Sequence, residues 1–143
     1  MEKLDSIIFY TIDKAIRSYR QYAQKQLKLR GIEITVDQWL VLKALLENPK
    51  AQQNELSEQV FKDAASVNRI ISLLVKNGYM DRKVDAKNRR LTILKVNAKG
   101  LQILSDMEGI IQQNREVALA GVDEAMKDQV LRAMQLITIN TQK

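Results

Sequence analysis

The chain has 143 residues and a formal net charge of +6, with no cysteine and no histidine. Disulfides, thiol redox sensing, thiolate nucleophiles, Cys/His zinc sites and histidine acid-base catalysis are therefore excluded. A chain of this length buries roughly two-thirds of the surface its unfolded form would expose, so one domain over residues 1–143 is expected.

The first predicted element runs from Lys3 to about Arg30, where Leu4, Ile8, Ile12, Tyr19, Ala23 and Leu27 mark a helical period unbroken by Pro or Gly until Gly31. Such a helix would be about 40 Å long. One small core cannot cover that length, so part of it is expected to pack on another subunit or on the far terminus. Thr35 then suits the N-cap of a helix over Val36 to Leu46 that stops before Asn48-Pro49. A short helix from about Gln53 to Val60 follows, with Leu56 and Val60 inward. The Phe61-Lys62 turn joins it to the next helix, the outline of a helix-turn-helix.

That next helix has Asp63 as its N-cap and Asn77-Gly78 as its stop. Val67, Ile70, Ile71, Leu74 and Val75 form one apolar stripe. The opposite stripe, Ala65, Asn68, Arg69, Ser72 and Lys76, is small, hydrogen-bonding or cationic, as suits a DNA major groove. Strand-like runs at Met80 to Val84 and Leu91 to Val96 flank the basic segment Asp85 to Arg90, completing a winged helix. Lys62 to Lys99 carries ten Lys/Arg against three Asp/Glu, a net +7, so the rest of the chain sums to −1. Cations gathered on one supersecondary unit are what a phosphate-facing surface requires.

Asn97 suits the N-cap of a helix carrying Leu101, Leu104, Met107 and Ile111, with Gly100 tolerated near its start. A last helix begins at about Asp123 and carries Met126, Val130, Met134 and Ile137. The expected fold is mainly α with a small β-hairpin: a winged helix-turn-helix at about 35–97, flanked by dimerisation helices at about 3–30 and 98–141. No apolar run approaches the ~18 residues that span a bilayer, and no signal-peptide core opens the chain. The expectation is a cytoplasmic protein with no membrane partner.

With these elements in place, the sequence resembles the MarR (multiple antibiotic resistance) family of winged-helix transcription regulators. The residues that carry the resemblance are Gln53-Asn54-Glu55-Leu56-Ser57-Glu58, Ser66-Val67-Asn68-Arg69-Ile70-Ile71, Lys76-Asn77-Gly78-Tyr79 and the wing. The family's Asp-x-Arg-Asp-x-Arg wing stands here as Asp85-x-Lys87-Asn88-x-Arg90, and its Leu-Thr-x-x-Gly as Val96-Asn97-x-x-Gly100. The resemblance implies a homodimeric repressor on a pseudo-palindromic double-stranded operator, with recognition helices in major grooves, wings in flanking minor grooves and release by a small molecule. By carry-over, Ser66, Asn68 and Arg69 meet bases or phosphates and Arg90 sits at the wing.

The full set expected at DNA is Gln53, Ala65, Ser66, Asn68, Arg69, Ser72, Lys83, Lys87, Arg89 and Arg90. Two departures from the family carry expectations of their own. Asn88 replaces an acidic residue, which leaves the wing less ordered, and Gln52 replaces a Ser/Thr cap, which weakens the helix start. Tyr10, Arg17, Tyr19 and Trp39 carry the aromatic faces and the cation that could hold a small aromatic or apolar effector, with Tyr10, Arg17 and Trp39 the leading candidates. No convergent titratable cluster marks an enzyme, and neither cofactor nor metal is implied. The rival reading is a nonspecific architectural DNA binder, because phosphate contacts alone would explain the charge.

Overall fold

The computed structural model describes residues 1–142. Its helices are α1 (Ile8–Leu29), α2 (Val36–Glu47), α3 (Gln53–Val60), α4 (Ala64–Lys76), α5 (Ala98–Ala118) and α6 (Glu124–Thr141), with strands β1 (Met80–Val84) and β2 (Thr92–Val96) between α4 and α5. The strands form an antiparallel hairpin in which Met80 faces Val96 and Val84 faces Thr92. This is a winged helix-turn-helix between terminal helices, as expected.

Local chemistry fixes most helix starts. At α2, the Thr35 hydroxyl accepts from the Gln38 backbone N–H (3.1 Å) while the Gln38 side chain accepts from the Thr35 N–H (2.9 Å). A box of this kind stabilises a helix by about 1 kcal/mol. Asp63, Asn97 and Asp123 cap α4, α5 and α6 by accepting from Ser66, Gly100 and Met126 backbone N–H groups at 2.8, 2.9 and 2.9 Å. At the other end of α4, Gly78 takes φ +83°, so that Gly78 N–H reaches Val75 O (3.1 Å) and Tyr79 N–H reaches Leu74 O (2.9 Å). That double closure is the Schellman stop.

Two boundaries differ from the sequence reading, and the start of α3 is closed by a different residue than Gln52. The first helix does not begin at Lys3: Leu4–Ser6 is a separate 3-10 turn, closed by the Ser6 hydroxyl on Lys3 O (2.7 Å), and the chain bends at Ile7 before α1. A serine that bonds its own backbone competes with the helix in this way. β2 starts at Thr92 because the Leu91 N–H is spent on Asn88 O (2.9 Å) inside the wing turn. α3 ends at Val60 as expected, and Phe61 at its C-cap has a left-handed φ of 59°, which costs a bulky residue roughly 1–2 kcal/mol. At the start of α3 the Gln52 side chain turns to β2 and caps nothing, as expected of a residue that is not Ser or Thr, while Glu55 accepts from the Gln52 backbone N–H (3.1 Å) and Asn54 Oδ1 accepts from the Glu55 N–H (3.0 Å).

The core lies inside the winged helix. Val41, Leu42, Leu45, Leu56, Val67, Ile71, Leu74 and Met80 are fully buried, and Leu104 and Met107 of α5 join them. Gly100 is required here, since a Cβ on it would stand 2.2 Å from Tyr79 O. α1 contributes only Ala23 and Leu27, and α6 contributes no buried residue. Ile8, Phe9 and Ile16 of α1, with Met126, Val130, Leu131, Leu136 and Ile139 of α6, are exposed instead. Asp37 at the start of α2 ties the terminal and reading parts together through Arg20 of α1 (3.5 Å) and Lys62 of the turn (3.3 Å).

Candidate nucleic-acid interface

α4 is held by its apolar stripe against α2 and α3, which turns Ala65, Asn68, Arg69 and Lys76 outward and exposed. The Asn68 and Arg69 side chains make no hydrogen bond or ion pair among the described residues. The acids that could have neutralised Arg69 are engaged elsewhere: Asp63 takes Ser66, and Asp81 accepts from the Asn97 amide (3.2 Å). Both side chains therefore keep their donors free for a ligand.

The two serines are placed differently from the sequence reading. Ser66 gives its hydroxyl proton to Asp63 Oδ2 (3.0 Å) while its backbone N–H goes to Asp63 Oδ1 (2.8 Å), so it completes the cap before it can read a base. The same bonds, the backbone one first and the hydroxyl second, hold the Asp63 carboxyl below its ordinary 3.8. Ser72 is half-buried and accepts from Arg82 Nη2 (3.3 Å). Arg82 was not singled out from the sequence. Directly opposed residues of a hairpin share a face, so Arg82 lies with Leu94 on the side that packs towards α4, whereas Lys83 opposes Ile93 on the other side. Period-two alternation gives the two faces, but only packing tells which of them meets α4.

Gln53 opens α3 and donates to Ala64 O at 3.4 Å, bracing the first turn of α4. In the wing, Asp85 Oδ1 accepts from Lys87 N–H (2.8 Å) and Asn88 Oδ1 accepts from Arg90 N–H (3.2 Å). The amide oxygen of Asn88 closes this turn on a backbone N–H as a carboxylate oxygen would, but it supplies no charge to hold a neighbouring arginine side chain. Lys87, Arg89 and Arg90 are exposed and in no ion pair among the described residues.

Of the effector candidates, Tyr19 and Trp39 are brought together, and Tyr10 and Arg17 lie elsewhere. Trp39 lines a cavity of about 100 Å³ with Tyr19, Met107, Ile111, Asn114 and Arg115. Tyr10 and Arg17 line a separate shallow groove with Asp13, and Arg17 is paired to that acid at 3.0 Å. The helical repeat explains the separation. At 100° per residue, Tyr10 and Arg17 share one stripe of α1, roughly opposite Tyr19. Asn114 was missed: it is 3% exposed, lines the Trp39 cavity and makes no side-chain hydrogen bond among the described residues. Its spacing of seven from buried Met107 was the available signal.

Among the described residues no His/Cys/Asp/Glu cluster could hold a metal ion, and no helix is long and apolar enough to cross a membrane.

Residues 31–91 match the model of the MarR family, a span that runs from before α2 through α3, α4 and β1 to the end of the wing turn and stops short of β2. The HTH-type transcriptional repressor IacR of Pseudomonas putida is 23% identical over 132 residues, 92% of this chain and 78% of that one. Among solved structures, Bordetella bronchiseptica BpsR, described with a mechanism for regulation of its DNA binding by 6-hydroxynicotinic acid, superposes with a TM-score of 0.85 at 15% identity, over 96% of this chain and 97% of that one. The S. aureus MepR–DNA complex gives a TM-score of 0.80 at 16% identity over 96% and 99%. Likeness at this level of identity establishes the fold. The relatives matched are transcriptional regulators, not enzymes.

Proposed function

We propose, from the premise that the chain belongs to the MarR family through its winged-helix lobe (residues 31–91), that it is a cytoplasmic, sequence-specific DNA-binding repressor of transcription. The observation that carries this reading is that Asn68 and Arg69 on α4 and Arg89 and Arg90 on the adjoining wing all point out of the lobe with their side chains unpaired among the described residues. Arginine can bond guanine O6 and N7 together, and asparagine can do the same with adenine N6 and N7. The wing arginines suit a narrow A·T-rich minor groove, whose walls focus negative potential. Lys83 and Lys87 would add phosphate contacts, which fix register without carrying sequence.

The working unit is a homodimer on a pseudo-palindromic operator, with 35–97 reading DNA and the helices at 3–30 and 98–141 joining the copies. The open apolar faces of α1 and α6 support it. An effector, a small aromatic or apolar molecule, would enter beside Trp39, where Asn114 and Arg115 offer polar partners. It can release DNA only by binding one arrangement of the dimer better than the other. BpsR, regulated by 6-hydroxynicotinic acid, and MepR, solved on DNA, are relatives in fold that support the two halves of the reading.

The test is a competition between duplex from the chain's own upstream region and random duplex, titrated over a salt series. The proposal expects a preference for the upstream site that persists as salt weakens both. Equal affinities falling on one salt slope would replace it with nonspecific architectural binding.

A further inference from the structure

We infer that Gln52 positions the wing, an inference that rests on the DNA-reading role proposed above. β2 pairs with β1 alone in a two-stranded sheet, which leaves its outer edge open. A hairpin of two strands is marginal by itself. The Gln52 side chain fills that edge: its Nε2 donates to Thr92 O (3.1 Å), and its Oε1 accepts from Thr92 N–H (3.4 Å). A primary amide offers one donor and one acceptor in a plane, as a peptide group does. One side chain thus takes the place of a third strand, across 40 positions of sequence.

The other end of Gln52 is equally fixed. Its backbone N–H goes to Glu55 Oε1 (3.1 Å) and its C=O accepts from Leu56 N–H (3.1 Å), so it belongs to the first turn of α3. From there Gln53 reaches Ala64 O (3.4 Å) at the start of α4. A continuous path of hydrogen bonds therefore joins the wing strand to the reading helix. Arg90 lies two residues before Thr92, about 7 Å along an extended chain. The anchor consequently sits at the root of the wing, where a small rotation swings the arginine tip. Gln52 sets the span between the major-groove helix and the minor-groove arginines, and with it the distance at which A·T-rich flanks are favoured.

The test uses full-length protein and duplexes recovered from a random library by the wild type, prepared in pairs that differ only in A·T-rich or G·C-rich flanks. Gln52→Leu keeps the size and removes both bonds. Gln52→Glu keeps an acceptor for Thr92 N–H but sets a carboxylate oxygen against Thr92 O, and it replaces the leucine variant if that one fails to fold. Either variant is expected to lose the flank preference while still selecting the core site over random duplex. Adding Arg90→Ala to it should then change flank preference no further, because the arginine is already out of place. A purely structural Gln52 would lower affinity for both flanks alike and leave the Arg90→Ala effect intact, and that result overturns the inference. If the wild type itself fails to distinguish recovered from random duplex, the DNA-reading role falls and this inference with it. If the wild type discriminates and the Gln52 variants keep its flank preference, only this inference falls.

Discussion

The winged helix and the terminal helices are folded by different means. In the lobe, α2, α3, α4 and the hairpin bury their apolar stripes against one another, and Leu74 is 1% exposed. In α6 the apolar residues are as regular, yet none is buried and Val130 is 55% exposed. Isolated helices of this length are marginal in water, so an uncovered apolar face marks packing that a single copy does not supply. The comparison separates a lobe that closes its own core from terminal helices whose apolar faces are left uncovered, the faces assigned to the partner copy in the proposed dimer.

The largest expected effect comes from removing the unpartnered region. Deleting residues 123–143 should leave a chain that aggregates or unfolds and binds no operator, read by light scattering after gel filtration. Obligate interfaces of this kind bury about 2,000 Å² or more, and nothing in the lobe compensates for that loss. A monodisperse, folded monomer would break the comparison. Next in size is Leu74→Ala, expected to cost about 2–5 kcal/mol in denaturant unfolding without changing the number of copies that associate. Val130→Asp should do the reverse, abolishing association in sedimentation by placing a charge in an apolar contact.

A smaller effect separates reading from anchoring within the lobe. Asn68→Ala or Arg69→Ala should cost specific binding about 1–3 kcal/mol and narrow the gap between operator and random DNA, whereas Lys83→Ala should weaken both alike. The smallest effect is a pH dependence. Because Ser66 holds the Asp63 carboxyl below 3.8, the cap contributes stability that is present above that pH and lost as pH falls through the lowered value. Unfolding curves of Asp63→Asn, which keeps an acceptor oxygen but cannot titrate, should lack that acid-side loss.

Caps at Thr35, Asp63, Asn97 and Asp123 were legible in the sequence because each acts on a backbone group three residues away. The Gly78 stop and the two strands were legible for the same local reason. What escaped depends on distant partners. Gln52 reads as a poor cap until Thr92 arrives from the wing, and Gly100 reads as merely tolerated until Tyr79 O comes within reach of the missing Cβ. Ser72 has the right chemistry for a base edge, but its oxygen accepts from Arg82 of the hairpin, which leaves its O–H to donate. Tyr10, Arg17 and Trp39 share a plausible ligand chemistry, yet the helical repeat of α1 turns the first two away from the cavity that Trp39 lines.

The central claim, a reading lobe duplicated by terminal helices, is tested most directly by hydroxyl-radical footprinting of the protein on its upstream duplex, with the mass of the bound complex measured in parallel. Two copies per duplex are predicted, with two-fold related protection whose halves lie one helical turn apart, about 34–36 Å, or a multiple of it. One copy per duplex, or uniform protection without a dyad, would contradict it.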